Sequence, residues 1–62
     1  MCEANVYYKD GNDLKKIMES AFIIKKENDE IYLQNIFGEQ EVLKGKIVEM
    51  DLIKHEVIIE KK

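Results

Sequence analysis

The residue with the clearest potential for chemistry is Cys2, the single cysteine in a chain of 62 residues. Its thiol stands beside the α-amine and a backbone amide nitrogen, and all three can bind a soft divalent metal. If Met1 is removed, the Cys2 amine and thiolate form one five-membered chelate. If Met1 stays, its amine, the Cys2 amide nitrogen and the Cys2 sulfur form two fused rings. Either arrangement sets strong-field nitrogen and soft sulfur in one plane, which suits Ni(II) or Cu(II) better than tetrahedral zinc. Each chain then offers two or three donors, too few for four positions. The sole histidine, His55, is distant in sequence. Two copies meeting at a two-fold axis would complete an N2S2 plane, so ligand scarcity predicts one metal per homodimer.

Other candidates read as structural. His55, between Lys54 and Glu56 in an expected turn, has no partner ligand nearby in sequence. Asp10-Gly11-Asn12-Asp13 lacks the alternating acids and closing glutamate of a calcium loop and reads as a turn. Glu39 and Glu41 alternate on an expected strand, but no histidine, arginine or glycine-rich loop accompanies them. They read as a solvated face. Tyr7, Tyr8, Tyr32, Phe22 and Phe37 could stack bases, yet a chain this short needs its aromatics for the core. No nucleophile–base pairing or phosphate-cradling loop occurs, so an enzyme is not expected.

The bulk properties narrow the field further. One domain spanning residues 1–62 is expected, burying only about 60% of its unfolded surface. Small domains compensate with disulfides, metals or oligomerisation, and one cysteine cannot form an internal disulfide. The net charge is −3. The basic residues are ten lysines with no arginine, which disfavours nucleic acid. No apolar run approaches the roughly 18 residues needed to span a membrane. The N-terminus lacks a signal-peptide pattern, and a free cysteine suits a reducing compartment. A cytoplasmic location is expected.

Short apolar runs punctuated by Gly, Asn and Asp predict strands joined by tight turns. Strands are expected over residues 3–9, 21–26, 31–37, 40–43, 46–53 and 57–60. Residues 14–18 fit either a further strand or a capped helical turn. On the first strand Ala4, Val6 and Tyr8 share a face, and on the fifth Val48, Met50 and Leu52 do. The expected fold is all-β: a small, strongly bent antiparallel sheet of six or seven short strands. It would close as an SH3-like or Sm-like barrel, which hides most strand edges.

Three segments carry a family resemblance: Met1-Cys2-Glu3-Ala4-Asn5-Val6-Tyr7, Phe37-Gly38-Glu39 and Lys46-Ile47-Val48-Glu49-Met50-Asp51-Leu52. With them the chain resembles the CooT family, very small proteins that begin Met-Cys, over nearly its whole length. The resemblance implies a nickel-binding accessory protein for maturation of carbon monoxide dehydrogenase. It also implies a β-rich fold, dimeric in at least some members, with Cys2 as the nickel ligand. Such proteins have also been labelled RNA-binding on fold analogy, which makes a small Sm-like RNA-binding module the alternative expectation.

Overall fold

The computed structural model describes residues 3–62, so Met1 and the predicted ligand Cys2 lie outside the described residues. The strands are β1 (Ala4–Asp10), β2 (Asp13–Glu27), β3 (Glu30–Asn35), β4 (Gln40–Asp51) and β5 (Glu56–Lys61). The chain is all-β, as expected, but these are five strands rather than six or seven. The excess came from counting two bends as breaks.

In β2, the ambiguous residues 14–18 and the expected strand at 21–26 form one strand. Its first half pairs with β1 and its second half with β3. The switch falls at Ser20, whose φ of 56° marks a bulge-like kink between the two pairings. In β4 the apparent break is Gly45, which is buried and sits directly over the Glu60 carbonyl of β5. A bare Cα there lets two backbones approach where any side chain would collide. Both bent strands therefore serve two neighbours each.

The order β1-β2-β3-β4-β5 closes on itself as a barrel. Sequential neighbours pair antiparallel, and the ring is completed by a parallel pairing of β1 with β5, from Asn5↔Glu56 to Lys9↔Glu60. Tight connections join β1 to β2 at Asp10↔Asp13 and β2 to β3 at Glu27↔Glu30. Gly11 supplies a φ of 64° in the first and Asn28 a φ of 57° in the second, where glycine and asparagine pay least for left-handed backbone.

Alternation along the strands fills the ring. Val6, Met18, Ala21, Ile31, Leu33, Val57 and Ile59 form the buried core, with Ala4 and Tyr8 packed against it. The face of β1 read from sequence is thus the inner one. The face Val48, Met50 and Leu52 is the outer one, and all three are exposed. Phe22 and Phe37 are exposed as well, so the core is aliphatic rather than aromatic. Each buried aliphatic side chain contributes about 1.5–3 kcal/mol, a modest sum for so small a ring.

The buried polar residue of the core is Asn35. Its Oδ1 accepts from the backbone N–H groups of Phe37 and Glu39 at 3.1 and 2.9 Å, and its Nδ2 donates to Glu39 Oε1 at 2.6 Å. Asn35 thereby organises the whole β3–β4 turn. Glu39 is engaged in that turn and is not free to pair with Glu41 for acid–base work.

Candidate metal centre

The chain enters the fold at the mouth of the barrel where β1 starts, β2 bends and β4 hands over to β5. Ala4 pairs with Ala21 there, and the parallel ladder begins at Asn5↔Glu56. The Asn5 N–H donates to the His55 carbonyl at 2.8 Å. Ser20 N–H approaches Asn5 Oδ1 at 3.4 Å, which ties the kink of β2 to the same spot.

The β4–β5 connection is held by one carboxylate. Asp51 Oδ1 accepts from the backbone N–H groups of Ile53 and Lys54 at 3.0 and 2.9 Å. The Lys54 N–H, then that of Ile53, and the charges of Lys54 and His55 hold the Asp51 carboxyl below its ordinary value. Burial opposes them, second in size only to the Lys54 hydrogen bond. His55 ends the turn with a φ of 57°, a left-handed conformation that histidine tolerates better than most residues.

Around this mouth lies a cleft of about 200 Å³. Its polar lining is Glu3, Asp51, His55 and Glu56, and its apolar wall includes Phe22 and Leu52. The volume is below the roughly 300–1,000 Å³ of pockets for drug-sized ligands. It suits an ion with its immediate ligands or a short stretch of chain. Three carboxylates against one lysine, Lys54, in this neighbourhood favour cations over anions.

The sequence-predicted ligand, Cys2, is covalently next to Glu3 and so one residue from the lining of this cleft. His55, read from sequence as an isolated surface residue, is carried by the parallel β1–β5 ladder to the same mouth. No spacing rule could have found that, because it is closure of the ring that brings His55 beside the start of β1. Among the described residues, no three His, Cys, Asp or Glu side chains converge to hold an ion. A metal here would need the thiol.

Two of the tyrosines that could stack bases have their hydroxyls engaged within the barrel. Tyr8 Oη donates to the Lys44 carbonyl at 2.8 Å, and Tyr32 Oη to Gln34 Oε1 at 2.9 Å. The Tyr32 ring also faces the Lys25 ammonium, 5.8 Å from its centroid. At the far end of the barrel Lys62 pairs with Asp29 at 2.6 Å and Lys61 with Asp10 at 3.5 Å. The cleft beside them is lined by Lys26, Lys46, Lys61 and Lys62 together with Asp29 and Glu60. No helix among the described residues is long and apolar enough to cross a membrane.

Comparison with known proteins agrees with this reading of the fold. Residues 1–60 match the family model described as CO dehydrogenase accessory protein CooT. An uncharacterized protein of Methanothermobacter thermautotrophicus is 38% identical over 60 residues, covering 97% of this chain and 89% of the relative. An uncharacterized protein of Methanocaldococcus jannaschii is 28% identical over 60 residues, covering 97% and 98%. The crystal structure of a presumed CooT from Carboxydothermus hydrogenoformans superposes with a TM-score of 0.89 at 28% identity, covering 98% of each chain.

Proposed function

Because this chain belongs to the CooT family of CO dehydrogenase accessory proteins, we propose that it carries Ni(II), held through Cys2 and the nitrogens beside it. It would pass the ion to a nickel enzyme under assembly, such as carbon monoxide dehydrogenase, in the cytoplasm. One observation carries this reading. The sole thiol of the chain is one residue from a small, acid-lined cleft at the barrel mouth. Nickel is cargo here, so access from solvent is an advantage, and an open cleft allows ligand exchange with a recipient site.

Too few donors in one hook favour a homodimer. The apolar rim of the cleft supplies a surface for the second copy. Leu52 is 74% exposed and Ile53 90%, with Phe22 and Met50 about half exposed. Two hooks facing each other across such a rim would give the ion two thiolates and two nitrogens.

The test is equilibrium titration with Ni(II). Cys2→Ser is expected to weaken binding by more than the roughly 10–100-fold that outer-shell changes cost. Unchanged affinity would remove Cys2 from the site. Affinity should also rise between about pH 6 and 8, because a free thiol with a pKa near 8.5 must lose its proton to bind.

A further inference from the structure

The end of the barrel opposite the mouth gathers lysines from three parts of the chain. Lys26 comes from the second half of β2, Lys46 follows the bend of β4, Lys61 ends β5 and Lys62 follows it. All four line one cleft of about 380 Å³, within the roughly 300–1,000 Å³ of small-molecule sites. Asp29 and Glu60 share the lining, so positive charge is in excess there. We propose that this cleft binds a compact, multiply charged phosphate chain, a diphosphate or triphosphate, whose oxygens the lysine ammoniums neutralise. The proposal is independent of Cys2 and of the nickel reading.

Three observations support it. The first is how the walls are held. The Gly45 N–H donates to the Asp29 carbonyl at 2.9 Å, which ties the β2–β3 turn to the bend of β4. The Glu60 carbonyl lies directly against Gly45, which ties β5 to the same bend. Lysines remote in sequence are thus assembled by closure of the ring, on a fixed backbone, and their long stems leave the ammoniums free to follow a ligand. The second is the behaviour of the chain's own anion. Asp29 Oδ2 pairs with Lys62 Nζ at 2.6 Å. The Lys62 hydrogen bond and charge, with the charges of Lys26 and Lys44, outweigh burial and hold the Asp29 carboxyl below its ordinary value. A negative group is already favoured at this spot. The third is spare capacity. Lys61 and Lys62 pair with Asp10 and Asp29, whereas Lys26 and Lys46 enter no ion pair among the described residues.

The ligand class follows from the donors. Lysine lacks the planar fork that matches a single carboxylate, and it binds phosphate as a point charge. One exposed ammonium is a weak partner, so the ligand must engage several at once, which a chain of phosphates does. A long polyanion would have to lie across Asp10, Asp29 and Glu60 on a chain of net charge −3. The carboxylates at the mouth, Glu3, Asp51 and Glu56, repel the same ligand, so the two ends of the barrel have opposite preferences.

The experiment titrates the intact, metal-free protein with sodium pyrophosphate at low ionic strength, by calorimetry and by backbone amide NMR. The amides of Asn28, Gly45 and Lys61 are expected to move while that of His55 stays still. Lys26→Gln and Lys46→Gln should each weaken binding about two- to fivefold, the range that exposed ion pairs give. Lys54→Gln removes the same charge at the mouth and should leave the affinity unchanged. Asp29→Asn should tighten binding, because it removes the competing carboxylate and releases Lys62; a purely structural Asp29 would give no gain. Circular dichroism checks the fold of each variant. Equal affinity for tripolyphosphate and adenosine triphosphate assigns the phosphate chain alone, and tighter binding of the nucleotide assigns a nucleotide; either supports the cleft. Unmoved amides, equal losses in Lys46→Gln and Lys54→Gln, or pyrophosphate bound no better than inorganic phosphate would overturn the assignment. Binding of a single-stranded RNA oligonucleotide without binding of pyrophosphate would overturn it as well, in favour of an extended nucleic-acid face.

Discussion

Asp51 shows how a single side chain sets the candidate site. It contributes no converging ligand, yet it fixes the turn that carries His55 by accepting from Ile53 and Lys54. Hydrogen bonding from the Lys54 N–H, chiefly, keeps its carboxyl below the ordinary 3.8. A carboxylate favoured in the folded state adds stability above the unfolded pKa and loses it as pH falls through the folded one. Asp51→Asn is therefore expected to melt below wild type at pH 7. The gap should begin to close as the pH falls below 3.8 and vanish only below the lower folded-state value, where both side chains are neutral. Melting curves across that range check it, and a gap that persists in acid would show that the charge is irrelevant. Asp29 follows the same sign through its bond and ion pair with Lys62. Asn35 is the buried counterpart: Asn35→Ala strands two N–H groups and should cost about 2–3 kcal/mol in a urea melt.

At the scale of elements, the two bent strands make the ring possible. Gly45 lies where β4 crosses β5, and an added Cβ would sit inside the contact distance of the Glu60 carbonyl oxygen. Gly45→Ala must push two backbones apart, so a loss of about 1–3 kcal/mol is expected, measured as a lower urea midpoint. The inner face of β1 was legible in the residues themselves, since Val6 is buried and Ala4 and Tyr8 pack against the core, whereas along β5 the apolar Ile58 between buried Val57 and Ile59 blurs the alternation. The turns at Gly11 and Asn28 were legible from their residue types. The continuity of β2 and β4 was not. A kink at Ser20 or Gly45 resembles a chain break until the partner strands are known, because the hydrogen bonds that carry the strand through it come from elsewhere in the chain. Val48, Met50 and Leu52 were correctly grouped on one face, but alternation alone does not say which face looks inward. Cys2 stood out in the sequence by its chemistry and lies outside the described residues, whereas the place of His55 at the mouth was hidden because it depends on the β1–β5 pairing.

For the whole molecule, the exposed apolar rim at the barrel mouth is expected to be covered by a second copy when nickel is bound. Leu52→Asp places a charge on a side chain that is 74% exposed, so it should fold normally and fail to dimerise. Light scattering with and without nickel tests this, and a variant that remains dimeric would move the interface elsewhere. The parallel pairing of β1 with β5 has a further consequence. Ala4–Asp10 has one of its two neighbours in Glu56–Lys61, the last strand of the ring. Contacts between such distant segments form late and slow folding. During synthesis, a ribosome still holding the last strand inside its exit tunnel leaves β1 half-paired, and residues ahead of it have no finished mouth to sit beside. The mouth at the start of β1 is therefore finished only once the last strand has been released.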